Sequence, residues 1–99
     1  MNETIVTVVA TFEARTGKEA ELRAALTSLV GPTRKEAGCL NYDLHQSPEQ
    51  AGKFMFHENW TSKALLDAHL QSPHLKALVD RLDGLCVRFP EIVCWQKIA

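Results

Sequence analysis

The sequence predicts an α+β domain in which a β-α-β-β-α-β chain builds one antiparallel sheet with both helices packed on one face, the split βαβ arrangement. Three observations carry this. Residues 4–13, 39–46 and 53–60 alternate in the period of a strand. Leucine, alanine and valine recur at helical spacing after the first and third of these segments. The connection from Ser47 to Gly52, with Pro48 near its start, is short and polar, which joins the second and third strands as a hairpin.

In the first strand, TIVTVVATFE, Val6, Val8, Ala10 and Phe12 fall on one face, and Ile5, Thr7, Val9 and Thr11 on the other. Thr16 stands three residues before Glu19, the spacing of a capping box, and a helix is expected from about Lys18 with Ala20, Leu22, Ala25, Leu26, Leu29 and Val30 as its stripe. Gly31-Pro32 should bend or interrupt it, with a turn resuming over 33–37 until Gly38 closes it. The second strand then sets Leu40, Tyr42 and Leu44 opposite Cys39, Asn41, Asp43 and His45. The third strand puts Phe54, Phe56, Glu58 and Trp60 on one face and Met55, His57 and Asn59 on the other.

Ser62 is placed to cap a second helix with Leu65, Leu66 and Leu70 on its apolar face. Ser72-Pro73 restarts it, serine as cap and proline in the first turn, and Leu75, Leu78, Val79 and Leu82 continue the stripe to Gly84. Beyond Pro90 the residues are β-branched and aromatic, giving a final strand centred on Ile92 to Lys97.

The chain of 99 residues reads as a single domain, 1–99, and its 45% of apolar residues support a thin core. Eleven basic against twelve acidic residues leave a net charge of -1, with no basic stripe. Nucleic acid and anionic membrane are therefore poor partners. The start, Met1-Asn2-Glu3-Thr4, lacks the basic region of a secretory leader, and no segment is long enough to span a bilayer. Cys39, Cys86 and Cys94 are odd in number and form no CxxC pair, as expected of reduced thiols in a cytoplasmic protein. The same spacing supports no zinc or other metal site.

The sheet face turned from the helices mixes Ile5, Val9 and Met55 with Thr7, Asn41, Asp43, His45, His57 and Asn59. It is too apolar for bare water and too polar for a dry core, so a second copy packed sheet against sheet is expected, making a homodimer. His45, His57 and Asn59 would line that interface; their spacing matches no standard metal site.

Three segments, Glu36-Ala37-Gly38-Cys39-Leu40-x-Tyr42, Glu58-x-Trp60-x-Ser62 and Ala68-His69-Leu70-x-Ser72-Pro73-His74, come in order along the chain. Together they make the sequence resemble the antibiotic biosynthesis monooxygenase family over nearly its whole length, and within it the small bacterial quinol-oxidising enzymes. The resemblance implies a ferredoxin-like fold dimerised into an α+β barrel. It also implies insertion of oxygen into an electron-rich aromatic or quinol substrate without metal, flavin or haem; the chain carries neither a GxGxxG nor a lysine-containing phosphate loop. The family includes haem-degrading and signal-processing members too, so the fold does not fix the chemistry. Of the haem-degrading Asn, Trp and His triad, Trp60 matches the Trp, but Ala10 stands at the Asn position and Val79 near that of the His. Iron would lack its imidazole there.

Within this frame His69, one turn beyond Leu65, is the candidate proton acceptor for a phenolic oxygen, or else a structural histidine. Glu58 orients or charge-balances His69, or pairs with Arg34, Arg81 or another base at the rim. Trp60, Tyr42, Phe54 and Phe56 shape the substrate cavity, or are core aromatics. His74 is expected as an exposed first-turn residue, and Cys39 carries no signature of a nucleophile. The activity expected is a cofactor-independent monooxygenase; a non-catalytic ligand-binding or stress-response dimer and a signal-processing isomerase are the alternatives.

Overall fold

The computed structural model describes residues 4–99, so the leader-free start expected at Met1–Glu3 lies outside the described residues. Four strands, β1 (Val6–Glu13), β2 (Cys39–Gln46), β3 (Lys53–Trp60) and β4 (Glu91–Trp95), form one antiparallel sheet in the order β2-β3-β1-β4. The helices lie on the face that carries Val8, Ala10, Phe12, Tyr42, Phe54, Phe56 and Trp60, all buried, and Leu22, Leu26, Leu66, Leu78 and Leu82 complete the core against them. This is the α+β, ferredoxin-like arrangement expected from the strand and helix periods.

Each expected helix is divided. The first gives α1 (Glu19–Thr27) and α2 (Val30–Arg34), the break falling at Ser28-Leu29 rather than at Gly31-Pro32. A proline ring clashes with the carbonyl four residues earlier, here that of Ser28, so the chain yields there and Pro32 sits in the first turn of α2, where its missing N–H is not needed. Nor does Thr16 cap α1. Gly17 turns the chain at φ 87°, Lys18 takes the cap position with no side-chain capping bond, and the Glu19 carboxylate accepts from the Gly17 N–H at 3.0 Å. The second helical stretch becomes α3 (Lys63–Leu70), α4 (Pro73–Val79) and α5 (Leu82–Leu85), with Gly84 inside the last. Ser62 and Ser72 cap α3 and α4 as expected, accepting from the Leu65 and Leu75 N–H groups at 3.3 and 3.4 Å.

One strand departs from strict alternation. Cys39 and Asn41 face Trp60 and Asn59, consecutive partners on β3, so Leu40 is the extra residue of a β-bulge. Cys39 therefore packs against the core and Leu40 is 54% exposed, the reverse of the expected facing, whereas Tyr42 and Leu44 turn inward as expected. The final strand is shorter than expected, since pairing with β1 runs only from Glu91 to Trp95.

On the far face a polar network ties three strands together. Thr7 Oγ1 donates to Asn59 Oδ1, Asn59 Nδ2 to Asn41 Oδ1 at 2.8 Å, and Asn41 Nδ2 to Asp43 Oδ2 and the His57 carbonyl at 3.0 and 3.1 Å. Val9, Met55 and Val93 are half-buried beside it. Among the described residues no helix is long and apolar enough to cross a membrane.

Candidate active site

A cavity of about 210 Å³ lies between the sheet and helices α3 and α4. Because strand side chains alternate, Val8 and Ala10 of β1, Tyr42 of β2, Phe56 and Glu58 of β3 and Ile92 and Cys94 of β4 all enter it from below. Leu66, His69, Leu70 and Leu75 roof it, and Lys63 and Asp67, paired at 2.8 Å, stand on the same helix face. The walls are mostly apolar, and of the titratable groups that line them His69 and Glu58 are the buried imidazole and carboxylate.

His69 is 2% exposed and lies one turn after Leu66 on the buried face of α3. Its ring rests on the Trp60 indole, centroids 4.6 Å apart and planes at 30°, and meets Tyr42 edge-on at 5.4 Å. Nδ1 is 2.8 Å from Glu36 Oε2, which fixes the tautomer with the proton on Nδ1 and leaves Nε2 as the acceptor with no hydrogen-bond partner among the described residues. Burial lowers the pKa of the imidazole, opposed by the Glu36 carboxylate that raises it. The ring is neutral near pH 7 and open to a proton.

Glu58, 4% exposed, does not orient His69. Its Oε1 accepts the Trp60 Nε1–H at 2.9 Å, and burial raises its pKa to about 7 despite that bond. Nor does it pair with Arg34, which bonds Asp43 Oδ1 at 3.1 Å. Glu58 and His69 are thus held by separate partners, and each keeps a polar atom free of them. Tyr42 stacks on Phe56 at 4.3 Å beside Thr33, whose buried Oγ1 has no partner of hydrogen-bonding geometry. Burial, then the charge of Glu58, pushes the phenol's pKa upward, so it stays protonated.

Of the residues singled out in the sequence, the structure brings Glu58, His69, Tyr42 and Phe56 onto one cavity. Trp60 lies behind His69 as its support, fully buried. Phe54 lies at the other end of the sheet and lines a separate hollow of about 610 Å³ with Met55, His45 and Phe89. That hollow is the larger, but His69 and Glu58 are not part of it. Ala10 lines the 210 Å³ cavity and Val79 is exposed at the end of α4, so neither haem-type position supplies a ligand.

Glu36 is the residue that spacing could not find. It follows α2, 33 residues from His69, and only the left-handed turn at Gly38, φ 84°, brings that segment against α3. A Cβ there would come within 2.5 Å of Leu65 Cδ1 and 2.8 Å of Thr61 Oγ1, so the approach requires glycine. Glu36 Oε2 also receives His74 Nε2 at 2.7 Å, so His74 is half-buried and bonded rather than exposed as expected. The three side chains bring ligand-type atoms within 4.8 Å of one another. The N···O separations of 2.7 and 2.8 Å are those of direct hydrogen bonds. The arrangement is a hydrogen-bonded triad with one oxygen between two imidazoles.

The chain as a whole is similar to known proteins. Residues 5–81 match the family model described as antibiotic biosynthesis monooxygenase. The chain is 41% identical over 69 residues to "Putative monooxygenase Rv0793" of Mycobacterium tuberculosis, covering 70% of this chain and 67% of that protein, whose solved structure superposes with a TM-score of 0.91 at 31% identity over 97% of each chain. An uncharacterised Synechocystis protein, sll1783, is 29% identical over 94 residues; these are 95% of this chain but 63% of that relative, less than two thirds of its length. The crystal structure of PA3566 from Pseudomonas aeruginosa superposes with a TM-score of 0.94 at 32% identity, covering 100% of this chain and 99% of that one. The chain belongs to the antibiotic biosynthesis monooxygenase family.

Proposed function

We propose that the protein is a monooxygenase that binds a small aromatic or quinol-like compound between its sheet and helices and oxidises it with O₂, no resident cofactor taking part. The observation that carries this reading is the neutral, buried His69 held through Nδ1 by Glu36, its Nε2 unpaired, in an otherwise apolar cavity that also holds Glu58. A volume of about 210 Å³ suits one substituted ring, as an apolar cavity of about 150 Å³ accommodates benzene.

The chemistry follows from the electrons. Ground-state O₂ is a triplet and does not react directly with a closed-shell phenol, so the substrate must give it one electron, which an oxyanion does far more readily than a neutral hydroxyl. His69 Nε2 takes the hydroxyl proton, and Glu36 stabilises the imidazolium that forms. The substrate anion passes one electron to O₂, and the two radicals combine at a ring carbon as a peroxide. Loss of water leaves one oxygen on the ring, so a hydroquinone and O₂ give a hydroxyquinone and H₂O, with both electrons for the second oxygen drawn from the substrate. Glu58, with its pKa near 7, is suited to exchanging the second hydroxyl proton.

The working form we propose is a homodimer joined through the far sheet face, in the cytoplasm. Half-buried Val9, Met55 and Val93 beside the Thr7–Asn59–Asn41 network support this reading. Oxygen uptake with a panel of single-ring hydroquinones and catechols tests the activity. Uptake above the uncatalysed rate is expected, and none across the panel would refute it. Ligand binding without uptake would favour the binding-module alternative, and turnover without uptake the isomerase.

A further inference from the structure

We propose that His74 regulates the buried base, competing with His69 for the single charge of Glu36. The proposal rests on the catalytic reading of His69 given above but is decided by a measurement that needs no turnover. Its ground is geometric: one carboxylate oxygen, Glu36 Oε2, lies 2.8 Å from His69 Nδ1 and 2.7 Å from His74 Nε2. One negative charge fully compensates one imidazolium and not two.

The three members differ in their access to water. The His69 side chain is 3% exposed, Glu36 18% and His74 23%. His74 and Glu36 therefore form the solvent-facing end of a chain whose inner end looks into the cavity. With His74 neutral, Glu36 gives its whole charge to His69, which is then the stronger base. With His74 protonated, Glu36 is already compensated, and His69 holds a proton less tightly. The direction agrees with His74 acting to lower the His69 pKa where Glu36 raises it. Solution pH thus reaches a group that water barely touches.

The setting is built to hold that geometry. Ser72 caps α4 and Pro73 occupies its first position, which fixes His74 in the first turn. Gly38 brings Glu36 against α3, and the Trp60 ring holds His69 at 4.6 Å. The remaining titratable groups around His69 and its cavity are Cys39 and Tyr42 on β2, Glu58 on β3, Lys63 and Asp67 on α3 and Cys94 on β4. Glu58 is bonded to Trp60, Lys63 and Asp67 to each other, and Tyr42 stays protonated. None of them touches the Glu36 oxygen that the two imidazoles share.

The test is an NMR titration of the His69 ring protons in the unliganded protein, assigned with His69→Gln, in wild type, His74→Ala, His74→Lys and each of these combined with Glu36→Gln. His74→Ala should raise the His69 midpoint by about half a pH unit or more, and His74→Lys, with its permanent charge, should lower it. In the Glu36→Gln background the two substitutions should differ by much less, because the shared acceptor has gone. An unchanged or lowered midpoint in His74→Ala, or a full effect persisting without Glu36, would overturn the competition. A protein that shows the predicted shifts and consumes no oxygen would retain the coupling and lose the catalytic reading instead.

Discussion

Removal of the His69 ring takes away the only imidazole in the 210 Å³ cavity. His69→Ala should therefore cut turnover about a hundred- to ten-thousand-fold while leaving binding of a non-oxidisable phenol within a few-fold, measured by oxygen uptake and by titration calorimetry. Glu58 gives a prediction of opposite character, on stability. Its folded pKa of about 7 stands above the ordinary 4.5, so both states are protonated in acid and the folded state alone resists ionising as pH rises. The penalty is absent below about pH 4.5, grows through the interval and is complete above about pH 7, where it reaches about 3 kcal/mol. Glu58→Gln, whose amide oxygen can still accept the Trp60 N–H, should accordingly stabilise the protein at pH 8 and have little such effect at pH 4.5 in urea unfolding. The inward facing of Glu58, Tyr42 and Phe56 was legible in the sequence, because alternation along one strand needs no tertiary knowledge. The partner of His69 was not. Glu36 reaches it across 33 residues through a left-handed glycine, and neither period nor spacing encodes such a contact.

Among the elements, the strands and capped helix starts follow from local chemistry, and the departures have local causes. Ser62 and Ser72 begin α3 and α4 where a serine before an apolar run should. The first helix breaks at Ser28-Leu29 because Pro32 acts on the carbonyl four residues before it. The bulge at Leu40 reverses two residues of β2, and a one-residue insertion in pairing leaves no trace in the composition of the strand. The tightest junction is Gly38, whose carbonyl accepts the Thr61 N–H at 2.9 Å while its Cα lies against Leu65. Gly38→Ala combines positive φ with a clash on the start of α3, and a loss of about 1–3 kcal/mol is expected in chemical denaturation. Ala10 offers the converse: it lines the cavity from the centre of β1, so Ala10→Phe should fill it and weaken phenol binding at least tenfold while circular dichroism stays that of the fold.

At the scale of the whole molecule, the sheet separates two surfaces of different character. The helix side encloses His69 and Glu58, and the far side presents Val9 and Met55 around hydrogen-bonded Thr7, Asn59 and Asn41. In the proposed dimer a second copy on that face would remove its apolar part from water, and Val9→Arg combined with Met55→Arg should then convert the dimer into a monomer in sedimentation velocity. A monomeric wild-type protein would contradict the dimer without touching the cavity. The central claim concerns the helix side: a neutral buried imidazole deprotonates a small quinol, which then reduces O₂. The most direct measurement is oxygen consumption by purified protein with a single-ring hydroquinone, compared with His69→Ala under the same conditions. The account predicts uptake well above the uncatalysed rate for wild type, one O₂ consumed per hydroxyquinone formed, and near-background uptake for the variant. Equal uptake in the two proteins, or none in wild type, would contradict it.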